Sequence, residues 1–139
     1  MPEFEYAVEV VIANDLGEAR RIQREIEEAL HAAEYGDRDV FCAKLALEEA
    51  LVNAVKHGNR MDPAKHVTIR YDVTTERFRI QVCDEGDGFD PESVPDPTAP
   101  ENIERPCGRG LLLMRRFMSQ VEYAEGGNRV VMTKLRSTE

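Results

Sequence analysis

No apolar run in this 139-residue chain approaches the roughly 18 residues that a membrane-spanning helix needs. Hydropathy therefore excludes a membrane-embedded helix. The opening Met1-Pro2-Glu3-Phe4-Glu5 is acidic and has no apolar core, so no signal peptide is expected and the cytoplasm is the expected compartment. Clusters of Lys and Arg are missing too. Asp and Glu number 27 against 18 Lys and Arg, a formal charge of −9, which argues against a nucleic-acid partner because phosphate binding draws on clustered cations. Cysteine is scarce and unpatterned: Cys42, Cys83 and Cys107 show no C-x-x-C spacing and no histidine at metal-ligand intervals. The odd count disfavours a secreted disulfide framework, and Cys42 and Cys83, lying in apolar runs, read as small core residues. The G-x-x-x-x-G-K-[ST] run of P-loop proteins is absent, as are the H-R-D and D-F-G elements of ordinary protein kinases.

What is present fits one globular domain over residues 1–139, with 42% hydrophobic and 32% charged residues. Tyr6, Val8, Val10 and Ile12 alternate with Ala7, Glu9 and Val11, which predicts a strand. Asp15, followed three residues on by Glu18, predicts a capping box for a helix carrying Leu16, Ala19, Ile22, Ile26, Ala29, Leu30 and Ala33 on one side. Gly36-Asp37 then breaks the chain into a second helix that ends near His57-Gly58, with Gly58 expected in the left-handed conformation. Alternation over Val67–Val73 and Phe78–Val82, joined by Thr74-Thr75-Glu76, predicts a hairpin. Residues 89–107 hold five of the seven prolines and little periodicity, the pattern of a long loop that is either functional or disordered. A helix is expected from about Leu111 to Ser119, then two strands around the turn Gly126-Gly127-Asn128.

On a wheel of about 100° per residue, the second helix has two apolar sectors: Val40, Ala43, Leu47, Ala50, Leu51 and Ala54, and separately Phe41, Leu45 and Val52. Between them runs a polar stripe of Glu49, Asn53 and, slightly rotated, His57. Such a stripe can simply face water. It also suits a Mg²⁺–nucleotide site, because an amide oxygen such as that of Asn53 is a hard neutral ligand and Glu49, one turn earlier, can take a proton beside a bound phosphate. His57 reads as an exposed or structural histidine.

Asp84 ends an apolar strand and is followed by Gly86 and Gly88. The pattern is that of an ordinary turn, and equally of a carboxylate accepting from the exocyclic amine of adenine while the glycines let the backbone approach a flat ring. Gly108 and Gly110 precede a helical run, where free N–H groups suit phosphate oxygens. Arg105 and Arg109 could each reach a terminal phosphate, and each could equally be a solvated surface charge.

Taken together, Glu48 to Gly58, Asp84 to Gly88 and Gly108 to Leu111 resemble the three nucleotide-contacting boxes of the GHKL ATPases, the superfamily of gyrase, histidine kinases and mismatch-repair ATPases. Along nearly the whole chain, and especially over Gly110 to Val121, the sequence is similar to the bacterial anti-sigma-factor serine kinases. The resemblance implies the Bergerat fold, an α+β two-layer sandwich whose mixed, mostly antiparallel sheet carries its helices on one face, with an ATP lid at about 89–107. It implies ATP and Mg²⁺ as cofactors, Glu49 as general base, Asn53 as the Mg²⁺ ligand and Asp84 as the adenine anchor. Gly86 and Gly88 would pack by the base, with Arg105, Gly108 and Gly110 around the phosphates. The implied partners are a sigma factor, which would be sequestered, and a STAS-type anti-anti-sigma protein, which would be phosphorylated on serine; a homodimer is implied as well. Two other readings fit the same boxes: an ATP-responsive binding module without phosphotransfer, and the stand-alone catalytic domain of a histidine kinase.

Overall fold

The computed structural model describes residues 7–86, 114–123 and 128–137. Five strands, β1 (Val8–Ala13), β2 (His66–Val73), β3 (Arg77–Cys83), β4 (Gln120–Tyr123) and β5 (Arg129–Leu135), form one sheet in the order β1-β2-β3-β5-β4. Every pairing among them is antiparallel. Helices α1 (Leu16–Ala32) and α2 (Asp37–Val52) pack on the sheet among the described residues, and a π-helical turn over Asn53–Gly58 extends α2. The architecture is the expected α+β sandwich. No helix among the described residues is long and apolar enough to cross a membrane.

Register explains the core. Val10, Ile69, Val82, Val130 and Tyr123 stand in one row across the sheet, and Val8, Tyr71, Ile80, Met132 and Val121 in the next. Because side chains alternate along a strand, these rows share one face. They pack with Ile22, Ile26 and Leu30 of α1 and Ala43, Leu47 and Leu51 of α2 in a single buried cluster. The β2–β3 turn is stapled by Thr74, whose Oγ1 accepts from the N–H groups of Glu76 and Arg77. Downstream, residues 114–117 are helical, inside the expected helix.

Four local expectations need correction. Asp15 caps α1 by accepting from the N–H of Gly17 at 3.2 Å, but Glu18 turns outward to Arg21 at 2.9 Å, so the reciprocal arm of a capping box is not made. The stop of α1 comes at Glu34, which adopts φ 63°, rather than at Gly36. There Glu34 N–H reaches the His31 carbonyl and Tyr35 N–H the Leu30 carbonyl, the paired bonds of a Schellman motif, and Gly36 serves as the N-cap of α2. Gly58, finally, is not left-handed; the positive-φ residues that turn the chain after α2 are Arg60 and Met61. The expected second apolar sector of α2 is also only half covered, since Phe41 is 56% exposed.

A clasp closes the fold at the end opposite β1's junction with α1. Arg136 donates to the carbonyls of Ala33 and Thr75 at 3.0 and 3.3 Å and to that of Glu34, with its guanidinium 5.0 Å from the Tyr35 ring centroid. A cation there also meets the carbonyl end of α1. Asp39, on the first turn of α2 and 3% exposed, accepts from Ser137 N at 2.8 Å and Ser137 Oγ at 2.5 Å, with Lys134 Nζ at 3.7 Å.

Candidate active site

The α-helical ladder of α2 persists as far as Asn53, whose N–H reaches the carbonyls of Glu49 and Ala50. Glu49 and Asn53 therefore keep the one-turn spacing that puts their side chains on one face. Immediately afterwards the helix widens: Asn59 N–H skips to the Ala54 carbonyl at 2.8 Å and Met61 N–H to that of Val55 at 2.9 Å. Single wide turns of this kind collect at functional sites. Glu49 and Asn53 are both half-buried. Burial pushes the Glu49 carboxyl above the usual range, Glu48 adds to the rise, and His57 opposes it. A carboxylate poised this way holds a proton more readily than a solvated one, as a general base should. His57 itself is exposed, in line with the bland reading of it.

Asp84 follows β3, and its N–H is fixed to the Asn128 carbonyl at 2.9 Å. Its carboxylate accepts from the N–H of Gly86 at 2.8 Å. Burial raises its affinity for a proton, against the pull of the Gly86 bond and of Lys65. The two glycines explain the packing. A Cβ on Gly58 would lie 2.2 Å from Asp84 Oδ2, and one on Gly86 would lie 1.9 Å from the Gly58 carbonyl oxygen. Gly58 is thus required for close approach rather than for its backbone angles. The π-helical turn and the Asp84-Glu85-Gly86 turn press together with the carboxylate held between them. Tyr123, in the row of Val82 and Val130, feels the Asp84 charge as well; burial pushes its hydroxyl up to about 12, Arg115 opposes the rise and the Asp84 charge adds a smaller part to it.

Of the expected site residues, Glu49, Asn53, Asp84 and Gly86 lie on the two segments that the structure brings together. Gly88, Arg105, Gly108 and Gly110, with the alternative Arg109, lie outside the described residues. Sequence reasoning missed the role of Gly58 against Asp84, the proximity of Lys65 and Tyr123, and the buried Asn59 next to the turn. For Asn59 the only signal was a Gly-Asn pair, which reads as a plain turn. No group of three or more His, Cys, Asp or Glu that could hold a metal occurs among the described residues. The donor set fits a hard cation held by one amide oxygen, with its other ligands from water and a bound phosphate chain. Asp84, held between Gly58 and Gly86, presents a half-buried carboxylate that suits an amine donor on a ligand.

Comparisons with known proteins agree with this fold. A family model described as the histidine kinase-like ATPase domain matches residues 12–134. The serine-protein kinase RsbW of Staphylococcus aureus strain RF122 is 35% identical over 104 residues, covering 69% of this chain and 65% of the relative. RsbW of strain MRSA252 matches equally. The match thus spans just under two-thirds of the length of these curated relatives. Among solved structures, the RsbU and RsbW domains of Rv1364c from Mycobacterium tuberculosis superpose with a TM-score of 0.64 at 18% identity, covering 93% of this chain and 31% of that one. The histidine kinase domain from Erythrobacter litoralis EL346 gives 0.52 at 17% identity, over 85% and 60%. These two likenesses establish a shared fold.

Proposed function

This chain belongs to the histidine kinase-like ATPase domain family, and from that premise we propose that it is an ATP-dependent serine protein kinase and anti-sigma factor. It sequesters a sigma factor and phosphorylates a serine of a STAS-type anti-anti-sigma partner, acting as a homodimer. The observation that carries the reading is the juxtaposition of two segments: Glu49 and Asn53 at the end of α2, and Asp84 clamped between Gly58 and Gly86 beyond it. The likeness to serine-protein kinases named RsbW supports the choice of serine as acceptor.

Mg-ATP, when bound, would supply the phosphoryl group and neutralise its charge. The protein's own residues do the rest. Asn53 offers an amide oxygen to the cation. Asp84 accepts from the exocyclic amine of adenine, a group that guanine does not present at that position, and so selects the base. Gly58 leaves the space that the Asp84 carboxylate occupies, and Gly86 is assigned to pack by the base. Glu49 takes the proton of the partner's serine hydroxyl, and its burial-raised proton affinity suits that step. Gly88 is assigned to the base side, and Arg105, Gly108 and Gly110 to the phosphates. Because phosphoryl transfer asks mainly for positioning and charge neutralisation, a module of this size suffices.

Calorimetric titration with ATP and GTP, each with and without Mg²⁺, tests the site. Mg²⁺-enhanced binding of ATP with weak binding of GTP is expected, and absence of ATP binding would overturn the proposal. Acid treatment of the phosphorylated partner tests the acceptor: phosphoserine survives mild acid, whereas a labile product would point to histidine.

A further inference from the structure

Asn59, the residue after the π-helical turn, is 0% exposed. Its side chain has one acceptor oxygen and an amide with two donors, and burial makes each costly if unmet. All three functions are met, each by a different part of the chain. Oδ1 accepts from the Glu85 N–H at 2.7 Å. Nδ2 donates to Asn14 Oδ1 at 3.0 Å and to the His66 carbonyl at 2.9 Å. Its backbone is tied as well, through its N–H to the Ala54 carbonyl at 2.8 Å and its carbonyl to the Asp62 N–H at 3.0 Å. The side chain therefore joins the end of α2 to the β1–α1 junction, the start of β2 and the turn after β3.

The Glu85 bond is the shortest of the three side-chain bonds, and Glu85 stands between Asp84 and Gly86. Its N–H lies in the rigid peptide plane shared with the Asp84 carbonyl. Fixing that N–H fixes the plane on one side of Asp84, and the bond from the Asp84 N–H to the Asn128 carbonyl holds the other side, so together they set the direction in which Asp84 leaves the backbone. Of the two other anchors of Asn59, Asn14 sits at the β1–α1 junction and His66 opens β2, and His66 also holds the turn directly, its N–H donating to the Glu85 carboxylate and its Nδ1 lying 3.6 Å from it, so the turn is referenced to the sheet and to α2 at once.

We infer that Asn59 is a positioning residue for nucleotide selection: by holding the Glu85 amide it aims the Asp84 carboxylate, and so sets the preference for adenine over guanine. The inference rests on the reading of Asp84 as the adenine contact. Asn14 supplies the control. It belongs to the same buried network, with Nδ2 on the carbonyls of Val55 and Asp62 at 3.4 and 3.0 Å, but it makes no bond to the Asp84–Gly86 turn.

The test is calorimetric titration of the wild type, Asp84→Asn, Asn59→Ala and Asn14→Ala with ATP and GTP in Mg²⁺, at a temperature where every variant is folded. The ATP-to-GTP affinity ratio of Asn59→Ala is expected to fall roughly tenfold or more, the value of a bond to a charged group's support, towards that of Asp84→Asn. Asn14→Ala should lose stability and keep the wild-type ratio. A wild-type ratio in Asn59→Ala, with the ratio lost in Asp84→Asn, would overturn the inference and leave the site reading intact. A wild type that does not discriminate would overturn the site reading and the inference with it. Should Asn59→Ala not fold, Asn59→Asp keeps the oxygen that accepts from Glu85 while losing both donor bonds; it must then retain the preference, and its loss there would overturn the inference.

Discussion

Replacing Gly58 with alanine puts a methyl group where the Asp84 carboxylate now sits, at 2.2 Å from Oδ2, 2.3 Å from Cγ and 2.7 Å from Oδ1. The backbone at position 58 is helical and tolerates alanine, and relief of glycine's entropy cost contributes about 0.8–1 kcal/mol in favour of the variant. Asp84 has to move instead. Its side chain swings away from the Gly86 N–H and gives up that bond, which to a charged group is worth about 1.5–3 kcal/mol. Net destabilisation should therefore be small, on the order of 1–2 kcal/mol, or about 3–8 °C in Tm for a domain of this size. Nucleotide selection has no such offset. A displaced anchor should weaken ATP binding roughly 10- to 100-fold, the equivalent of one charged hydrogen bond. Gly86→Ala is the companion variant: its methyl would meet the Gly58 carbonyl oxygen at 1.9 Å, and backbone cannot swing aside as a carboxylate can. Gly86→Ala should thus cost more stability than Gly58→Ala. Scanning fluorimetry and calorimetric titration of both variants check the ordering. ATP affinity in Gly58→Ala within twofold of wild type would refute the assignment of Asp84's placement to the nucleotide site.

Glu49→Gln should abolish phosphoryl transfer to the partner while ATP affinity stays within a fewfold of wild type; transfer that persists would remove Glu49 from the role of base. In the wild type, burial lifts Glu49's proton affinity, so activity should fall as pH drops through a value above the ordinary glutamate pKa of about 4.3, as read from a pH–rate profile. Asp84→Asn should lose adenine preference without losing stability. A buried carboxylate with a raised pKa is a cost to the folded state at pH above about 3.9, and the amide oxygen can still accept from Gly86; urea unfolding at neutral pH that showed a marked loss would contradict this. At Asp39, burial alone would raise the pKa, but the Ser137 N–H and O–H and the Lys134 ammonium outweigh it and hold the carboxyl below the usual range. The clasp's contribution should accordingly be complete above about pH 4 and fade as pH falls through Asp39's lower folded value, while Asp39→Asn costs about 1–3 kcal/mol at pH 7, measurable by urea unfolding at both pH values.

The strands were legible because their apolar residues alternate, and the single core face of β2 and β3 follows directly from Val67, Ile69 and Tyr71 beside Phe78, Ile80 and Val82. The Glu49–Asn53 spacing was legible for the same reason, since one helical turn is a property of local sequence. What depends on a distant partner was not. Gly58 looked like a helix stop, and only the arrival of Asp84, 26 residues later, shows it as a space left for a carboxylate. Glu34 was invisible as the end of α1 because its left-handed turn is paid back by tertiary contacts, including Arg136 on its carbonyl. Asn59 carried only the signal of a plain Gly-Asn turn; a buried asparagine and a solvated one have the same letter. Gly88, Arg105, Gly108 and Gly110 rest on resemblance to the family's boxes.

The clasp between Asp39 and Ser137 spans 98 residues of chain, and that between Arg136 and Ala33 spans 103. Closing a loop that long is an entropic expense that short-range contacts do not share. During folding, the β2–β3 hairpin and the α1–α2 corner can each assemble from neighbours, whereas β5 must first dock on β3 before Lys134, Arg136 and Ser137 come within reach of their targets. The latch is therefore expected to engage only after β5 has docked, and hydrogen exchange should show the end of β5 opening from the helical corner more readily than the turn that holds Asp84.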